Sequence, residues 1–513
     1  MSEILISRYH PGVESPETLE EIFVGKDREV LISELLKELK NEIEDKNRYL
    51  QSHLIYGPTG IGKTFILWVL FNRIKEDENL KRYYLPILLP EELFGVNNVA
   101  GILLEALKII LNDSSRTIPD EDIRDFIREK LNWVIEIDDK DTRFDRCESL
   151  FDEIRNRFDK RVIIMAENLD KLLISFKRHK ELDKFLKVLP RSKSIKFIGT
   201  AITFLDVLGD IKGPIYGYTY HHKLEPLNED EVFELISRLI ELYSKENEVL
   251  IKYFHSPDGR RRINIFKAIS YLCGGLPRMI FPLFEIALSE CSRLSDGKEA
   301  VHRFDTSLKF MQEMFERLTL IYRENLWSLP EKERMVIEIL ASSDKAIRPI
   351  DIKGKTGFNS AEISTYLTRL IKRGCIRTST EVDKKKQFYI LSEPLLSIWY
   401  RWRQGASYEQ KWSFVVELLS WLFKKEEIKK VIEKEETPDI MKSLYTAAYE
   451  RLKSKMAEAE YLREIRKEGL KSFDEALKTK PDDATVWYNK GVALRKLGRT
   501  QDAIICFDKA LEI

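Results

Sequence analysis

Residues 53–71 read HLIYGPTGIGKTFILWVLF. The eight central residues, 57–64, fit the pattern GxxxxGK[ST], with an apolar β-type run before them and an apolar helical run after them. Glycines in such a loop let backbone N–H groups close around phosphate oxygens, and the amino terminus of the following helix adds a partial positive charge. The stretch therefore predicts a strand, a phosphate-binding loop and a helix that together hold a nucleoside triphosphate.

The loop pattern also predicts what its side chains bind. Lys63 is expected to contact the β and γ phosphates of ATP, and the hydroxyl of Thr64 to bind Mg²⁺. An earlier segment, FVGK at 23–26, is expected to lie around the base. The predicted nucleotide-binding residues are Phe23, Val24, Gly57, Pro58, Thr59, Gly60, Ile61, Gly62, Lys63 and Thr64.

A second apolar run, 161–166, leads to the acidic group that a magnesium site of this kind needs. Two registers are open. In the first, Glu167 binds Mg²⁺ and Asn168 stands where a water-activating base is expected, so hydrolysis should be slow because an amide does not accept a proton near neutral pH. In the second, Glu167 is the base and Ala166 leaves the metal without its acid. Asp170 helps in either register.

Two further residues are candidates for contact with the triphosphate. Thr200 lies near the end of a third apolar run, 195–201, and is predicted to hydrogen-bond the γ phosphate or the attacking water. Arg278 follows GGLP at 274–277 and is predicted to reach the phosphates from the opposite side, which would couple its helical region to the nucleotide. The alternatives are a threonine that merely ends a strand and an arginine on the surface.

The order of patterns along 513 residues predicts several domains. Between about Phe23 and Ala201, four apolar β-type runs (53–56, 83–89, 161–166 and 195–201) alternate with amphipathic helical runs, which predicts a parallel sheet with helices on both faces. From about Tyr220 strands are expected to stop. The fold class is multidomain α/β plus α. The predicted domains are a P-loop ATPase core with its N-terminal segment (1–219), a helical lid (220–325), a winged helix-turn-helix (326–404), a helical connector (405–461) and tetratricopeptide-type repeats (462–513).

Composition excludes several classes of protein. The chain has 85 Lys and Arg against 85 Asp and Glu, and 43% of its residues are hydrophobic, as in a globular protein. Its longest apolar run, 65–71, is far shorter than the roughly 20 residues that span a bilayer. The first residues do not resemble a secretory signal, so we expect a cytoplasmic protein. The five cysteines form no CxxC pair and predict neither a disulfide framework nor a zinc site.

The end of the chain repeats itself. FDEAL at 473–477 recurs as FDKAL at 507–511, a shift of 34 residues, which is the tetratricopeptide period. Trp487, Gly491 and Ala503 complete the last unit at the spacing of two packed antiparallel helices. Because such arrays need about three repeats to bury a continuous core, this end is expected to dock on a protein partner or to be followed by more repeats.

Residues 327–403 carry 15 Lys and Arg against 9 Asp and Glu, a local excess of positive charge in a neutral chain. Three helical patterns followed by two β-type runs predict a winged helix, with 360–373 as its recognition helix. Duplex DNA is one expected partner, and the alternative is a domain that braces the ATPase core. The candidate DNA contacts are Thr365, Arg369, Lys372, Lys384, Lys385 and Lys386.

Taken in order, five segments resemble the nucleotide-binding core shared by AAA+ ATPases of the origin-recognition (Orc/Cdc6) type and the STAND signalling ATPases. These segments are FVGKDRE (23–29), GPTGIGKT (57–64), IIMAENLDKLL (163–173), FIGTA (197–201) and GGLPR (274–278). Residues 330–403 resemble the winged-helix end of the archaeal-type ATPases in that group. The resemblance implies an ADP-held resting state, released by a ligand on the sensor arm and followed by ATP-driven oligomerisation.

The sequence thus predicts an ATP-dependent molecular switch that hydrolyses ATP slowly with Mg²⁺, assembles with copies of itself and binds a protein through its repeats. The alternative is a DNA-binding ATPase of the origin-recognition type that uses the winged helix. A third hypothesis is a regulatory scaffold that binds nucleotide and hardly hydrolyses it.

Overall fold

The structure is a computed structural model. The residues it describes are 11–45, 49–91, 93, 95–112, 121–188, 192–202, 219–244, 269–270, 272–284, 315–316, 318–343, 346–379, 387–404, 425–433, 445–451, 453, 477, 483–496 and 500–512. The chain divides into two compact units. The first comprises 1–299 and 306–405, and the second comprises 300–305 and 406–513.

The first unit is built on a five-stranded parallel sheet with the order β2-β3-β4-β1-β5. Its strands are β1 (Ser52–Tyr56), β2 (Tyr84–Leu88), β3 (Arg161–Ala166), β4 (Ile195–Ala201) and β5 (Thr219–Lys223). Four of them are the apolar runs predicted from the sequence. The expectation that strands stop at about Tyr220 was wrong, because β5 pairs in parallel with β1 from Ser52 to Tyr56.

Helices precede, connect and follow these strands. They are α1 (Pro16–Ile22), α2 (Lys26–Glu44), α3 (Lys63–Glu76), α4 (Glu78–Tyr83), α5 (Val99–Asn112), α6 (Glu121–Ile135), α7 (Lys140–Phe158), α8 (Leu169–Arg178), α9 (Leu182–Val188), α10 (Glu229–Ser244), α11 (Glu331–Ala341), α12 (Pro349–Thr356), α13 (Ser360–Lys372), α14 (Pro394–Arg403), α15 (Lys425–Glu433), α16 (Ala484–Lys496) and α17 (Thr500–Glu512). A short 3₁₀ turn, Pro11–Val13, precedes α1.

The sheet is covered on both faces, as predicted. Alternate side chains of a strand point to opposite faces, so Val162 and Ile164 pack in one core and Ile163 and Met165 in another. The first core includes apolar residues of α5 to α9, and the second those of α1 to α4. Strands buried on both sides read as continuous apolar runs, which is why β3 is so clear in the sequence.

A helix-hairpin unit follows in the same compact unit. It consists of α11, α12 and α13 with a two-stranded antiparallel hairpin, β6 (Ile376–Ser379) and β7 (Phe388–Leu391), which is the element order predicted for a winged helix. Helix α13 begins at a capping box in which Asn359 and Glu362 each accept a backbone N–H of the other. Trp399, on α14, is buried and donates its indole N–H to the hydroxyl of Thr319.

In the second unit, α16 and α17 pack against each other, as the two helices of a tetratricopeptide repeat do. The rings of Tyr488 and Phe507 lie 5.6 Å apart, and Leu494 and Cys506 are buried. The earlier half-repeat predicted at 473–481 lies outside the described residues, apart from Leu477, which is buried. Among the described helices, none has the length and apolar character that crossing a membrane requires.

Candidate nucleotide-binding site

The predicted phosphate-binding loop connects β1 to α3. Gly60 and Gly62 have φ angles of 84° and 99°, in a region that other residues rarely adopt. Glycine at these two positions lets the chain turn sharply from Tyr56 into a helix that begins at Lys63. The backbone N–H groups of the first helical turn have no acceptor within a helix, so they form the start of an anion-binding site.

The ammonium group of Lys63 is held inside this loop. Its Nζ donates to the carbonyl oxygens of Gly57 and Pro58, at 2.7 and 2.9 Å. Burial lowers the pKa of Lys63 to about 8, although the carboxylates of Asp170 and Glu167 favour its charged form. A phosphate group would add negative charge beside this ammonium group and so stabilise its charged form.

Thr64 and Glu167 are in direct contact. The hydroxyl of Thr64, in the first turn of α3, donates a hydrogen bond to Oε2 of Glu167, which directly follows β3. A hydroxyl and a carboxylate are the hard oxygen donors that Mg²⁺ prefers, so these residues fit the ion. The sequence left two registers open, and this contact favours the one in which Glu167 binds the metal.

Asn168 then stands where that register expects the water-activating base. It has a φ of 49° and directly precedes α8. Its side-chain nitrogen donates to Oε1 of Glu91 over 3.3 Å. Glu91 lies three residues beyond the end of β2, the strand next to β3. Nothing in the sequence pattern singled out Glu91, because it belongs to no motif.

Thr200 and Asp170 flank the same end of the sheet. Thr200 is paired in register with Ile55 and is 2% exposed, and it lies on the wall of the cavity described below. The structure thus brings it to the site where it was predicted. Asp170 lies in the first turn of α8, where its Oδ2 accepts the backbone N–H of Ile202 over 3.4 Å.

The loop opens on a cavity of about 540 Å³. Lys63, Thr64, Glu167 and Asn168 lie at its polar end. Its remaining wall is largely apolar and includes the predicted Phe23 and Val24, whose role at a base remains a prediction. The sequence gave no role to the other apolar residues of this wall, which are Pro11, Ile22, Phe65, Trp68, Ile202, Leu227, Leu235, Pro277 and Phe281.

A buried arginine is hydrogen-bonded to the phosphate-binding loop. Arg28, in α2, is 6% exposed, and its Nη2 donates to the carbonyl oxygens of Ile61 and Glu225. Burial lowers the pKa of Arg28, and the nearby Glu231 opposes that shift. The sequence contains this residue in the segment 23–29 but gave it no role. Its two hydrogen bonds join the loop to the chain that follows β5.

Arg278 reaches the loop from the helical region predicted to be the lid. Its backbone N–H donates to the carbonyl oxygen of Gly60 at 3.1 Å. Its guanidinium group donates to Oε2 of Glu324, in helical residues 318–327, over 3.4 Å. Both side chains lie on the wall of the cavity, and contact of Arg278 with the phosphates stays a prediction.

The candidate DNA-contacting residues divide into three groups. Thr365 and Lys372 are exposed on α13. Arg369 is exposed too, but its guanidinium group lies 3.5 Å from Glu333, a carboxylate that is 1% exposed. Lys384 to Lys386 lie outside the described residues.

Part of the chain matches a known family model. Residues 484–513 match the tetratricopeptide repeat, as the 34-residue period predicted. No curated protein sequence shows significant similarity to the chain.

Several solved structures are similar to this one. Orc1 of Aeropyrum pernix in complex with DNA is 13% identical, with a TM-score of 0.36, and the match covers 74% of this chain and 92% of that one. Cdc6p of Pyrobaculum aerophilum is 14% identical, with a TM-score of 0.33 and coverages of 76% and 99%. A STAND protein with a tetratricopeptide repeat sensor from Pyrococcus horikoshii is 16% identical, with a TM-score of 0.26 and coverages of 92% and 57%. These are the two groups that the sequence resembles.

Proposed function

We propose that this protein is an ATP-dependent molecular switch that binds ATP with Mg²⁺ and hydrolyses it slowly. The observation that carries the proposal is the hydrogen bond from Thr64 to Glu167, beside Lys63 and on the wall of one cavity. A loop lysine, a hydroxyl and a carboxylate after the neighbouring strand are the groups that a triphosphate and its metal require. Mg²⁺ held by Thr64 and Glu167 would neutralise negative charge on the phosphates.

We attribute slow turnover to the amide of Asn168 directly after Glu167, because any base then has to act from a neighbouring strand. If Glu167 binds the metal, the next residue is an amide, which orients groups by hydrogen bonding but does not take up a proton. A switch needs a long-lived ATP state more than it needs rapid hydrolysis. The amide in this position therefore supports a regulatory role over that of a fast motor.

Coupling to domain position is assigned to Arg278. Its backbone is hydrogen-bonded to Gly60 in the loop, and its side chain to Glu324 in another helix. A phosphate group that shifts the loop at Gly60 would therefore shift the helical residues 277–284 and 318–327 with it. Lid position would then depend on which nucleotide is bound.

Partner binding is assigned to the C-terminal repeats, and nucleotide-dependent assembly to the switch as a whole. The repeat at 484–513 exposes Tyr488, Ile504 and Ile505, each close to half exposed or more. Apolar side chains on the surface of a repeat array are suited to packing against a protein or a further repeat.

DNA binding through the helix-hairpin unit is the second candidate. Exposed Thr365 and Lys372 on α13 favour it, whereas the ion pair of Arg369 with Glu333 ties one predicted contact to the unit itself. Two results together would support DNA binding. The affinity for duplex DNA should weaken steeply with salt, and it should fall in Lys372→Glu and in the double variant Lys384→Glu with Lys385→Glu. Binding that none of these charges affects would contradict it.

The switch is tested by size-exclusion chromatography with ATP, ADP or no nucleotide, each with Mg²⁺. We expect ATP alone to shift the wild-type chain to a larger particle, and Lys63→Ala to abolish that shift. Lys37→Ala, at an exposed position of α2 outside the cavity, is the control. An elution volume independent of nucleotide would contradict the assembly step.

A further inference from the structure

Hydrolysis of a triphosphate is accelerated by a group that accepts a proton from the attacking water. Among the described residues, three carboxylates line the cavity: Glu91, Glu167 and Glu324. Glu167 accepts a hydrogen bond from the hydroxyl of Thr64, and these two residues are the proposed ligands of Mg²⁺. Glu324 accepts a hydrogen bond from the guanidinium group of Arg278, in the region predicted to be the lid. Glu91 is therefore the one of these three carboxylates that takes part in neither of these two hydrogen bonds.

Asp170 is the nearest competitor in the sequence, but its position does not suit a base. One oxygen of its carboxylate accepts the backbone N–H of Ile202. The other, Oδ1, is fully buried, and Asp170 does not lie on the wall of the cavity. A base has to touch the water that it activates, and Glu91 is exposed at the cavity wall whereas Asp170 is not.

Asn168 connects Glu91 to the site. The two residues follow neighbouring strands, β3 and β2, whose carboxyl ends meet at the same edge of the sheet. The amide of Asn168 donates to Oε1 of Glu91, which leaves Oε2 of this pair for a water molecule. The carboxylate of Glu91, after β2, thus lies beside the amide of Asn168, which occupies the position after β3 where a base is expected.

We infer that Glu91 is the general base for hydrolysis and that Asn168 positions it. This inference rests on the proposed ATPase function. In the step, a proton of water passes to the carboxylate of Glu91 while the water oxygen bonds to the γ phosphorus. The bond from that phosphorus to the oxygen bridging the β phosphate breaks, and the electron pair leaves with ADP. The products are ADP and inorganic phosphate, and the proton on Glu91 returns to solvent.

The test compares the full chain with Glu91→Gln, and Glu129→Gln is the matched control on an exposed face of α6. We measure ATP affinity by calorimetry, the single-turnover rate of hydrolysis, and the identity of the nucleotide bound after incubation. General bases contribute roughly 100- to 10,000-fold, so we expect Glu91→Gln to lose at least about 100-fold in rate. Its affinity should stay within a few-fold of wild type, and its bound nucleotide should remain ATP. The control should behave as wild type.

The outcomes separate this inference from the proposed function. Hydrolysis by Glu91→Gln at a rate close to that of wild type would overturn the role of Glu91 and leave the ATPase intact. A wild-type chain that binds ATP without cleaving it would overturn both the base and the hydrolysis, but not nucleotide binding. A chain that binds no ATP would overturn the proposed function itself.

A double variant guards against a merely structural effect. Glu91→Asn combined with Asn168→Glu exchanges the carboxylate and the amide between the same two positions. If a carboxylate at this edge is what hydrolysis needs, the exchanged pair should hydrolyse ATP faster than Glu91→Gln. Equal inactivity of the two, with unchanged melting temperatures and ATP affinities, would count against a base that acts through this pair.

Discussion

Gly374 lies against Pro58 so closely that a Cβ atom built on the glycine would be 2.2 Å from Cγ of the proline. Gly374 follows α13 in the helix-hairpin unit, and Pro58 belongs to the phosphate-binding loop. Cβ atoms essentially never come within 3.0 Å of a non-bonded carbon atom. The helix-hairpin unit therefore touches the nucleotide site directly, which supports its role as a brace for the ATPase core.

Substitution of Gly374 should disturb this contact. Gly374→Ala places a methyl group against the stiff proline ring, and it also forces alanine to a φ of 70°. Gly357→Ala is a matched control, because its φ is 74° and nothing lies within 4 Å of the added atom. Both variants should lose about 1 kcal/mol from the backbone conformation. We expect Gly374→Ala alone to lose further stability and ATP affinity, measured by melting temperature and calorimetry.

Equal melting temperatures and equal affinities for the two alanine variants would contradict a brace at Pro58. The backbone effect is common to both, so any difference between them reports the packing contact.

Magnesium dependence should follow the hydroxyl of Thr64. Thr64→Val removes the hydroxyl at nearly constant shape, and Thr64→Ser retains it. We expect the gain in ATP affinity that Mg²⁺ gives the wild type to fall by about tenfold in Thr64→Val, the equivalent of roughly 1.4 kcal/mol. Thr64→Ser should keep most of the gain. Calorimetric titrations with and without Mg²⁺ measure it, and an undiminished gain in Thr64→Val would exclude this residue as a ligand.

Glu393 should make stability depend on pH. Burial raises the pKa of its carboxyl group from 4.5 to about 8, although the hydroxyl of Tyr322 donates to it. Between these two values the folded chain binds more protons than the unfolded one, so stability falls as pH rises from about 5 to about 8. Glu393→Gln keeps a neutral hydrogen-bonding group of the same size. We expect the variant to lose this part of the pH dependence and to melt above wild type at pH 8.5.

Melting temperatures at pH 5.5, 7 and 8.5 test this prediction. Glu129→Gln, on the surface, serves as the control and should keep the wild-type slope. An identical slope for Glu393→Gln would show that the buried carboxyl group does not titrate in this range.

Arg28 should be needed for the shape of the loop. Arg28→Met keeps the length of the side chain but removes the donors to the carbonyl oxygens of Ile61 and Glu225. Hydrogen bonds from a charged donor contribute on the order of 2 kcal/mol each, so the variant should melt several degrees lower. Its affinity for ATP should fall as well, because the loop loses its support. Arg124→Met, a half-buried arginine of α6, is the control, and equal effects of the two would contradict a role at the loop.

Much of the first unit could be predicted from the sequence because its information is local. Strands β1 to β4 are rich in apolar residues, and the loop requires glycine at 60 and 62 for reasons of backbone geometry alone. Strand β5 reads TYHHK and carries no such signal. Its His222 lies 3.0 Å from a ring nitrogen of His53, whose other nitrogen lies 2.9 Å from Glu38. A polar strand becomes part of the sheet only through such tertiary partners.

The same distinction applies to the site. Lys63, Thr64 and Glu167 follow from motif and strand, whereas Glu91 comes close to Asn168 only because β2 and β3 are neighbours in the sheet. The ion pair of Arg369 with Glu333 was likewise not predictable from the sequence, and contact of DNA with Arg369 stays a prediction. The charge of Arg369 counted toward DNA binding in the sequence, but the buried Glu333 that pairs with it lies 36 positions earlier and could not be recognised as its partner.

Calorimetric titration of the full chain with ATP in the presence of Mg²⁺ decides whether the loop at 57–64 holds a nucleoside triphosphate. We expect saturable binding by the wild type, and affinity lower by at least about tenfold in Lys63→Ala, since the variant loses a charge-assisted contact with phosphate. Absence of binding by folded wild-type protein, or equal affinity in Lys63→Ala, would contradict binding by this loop.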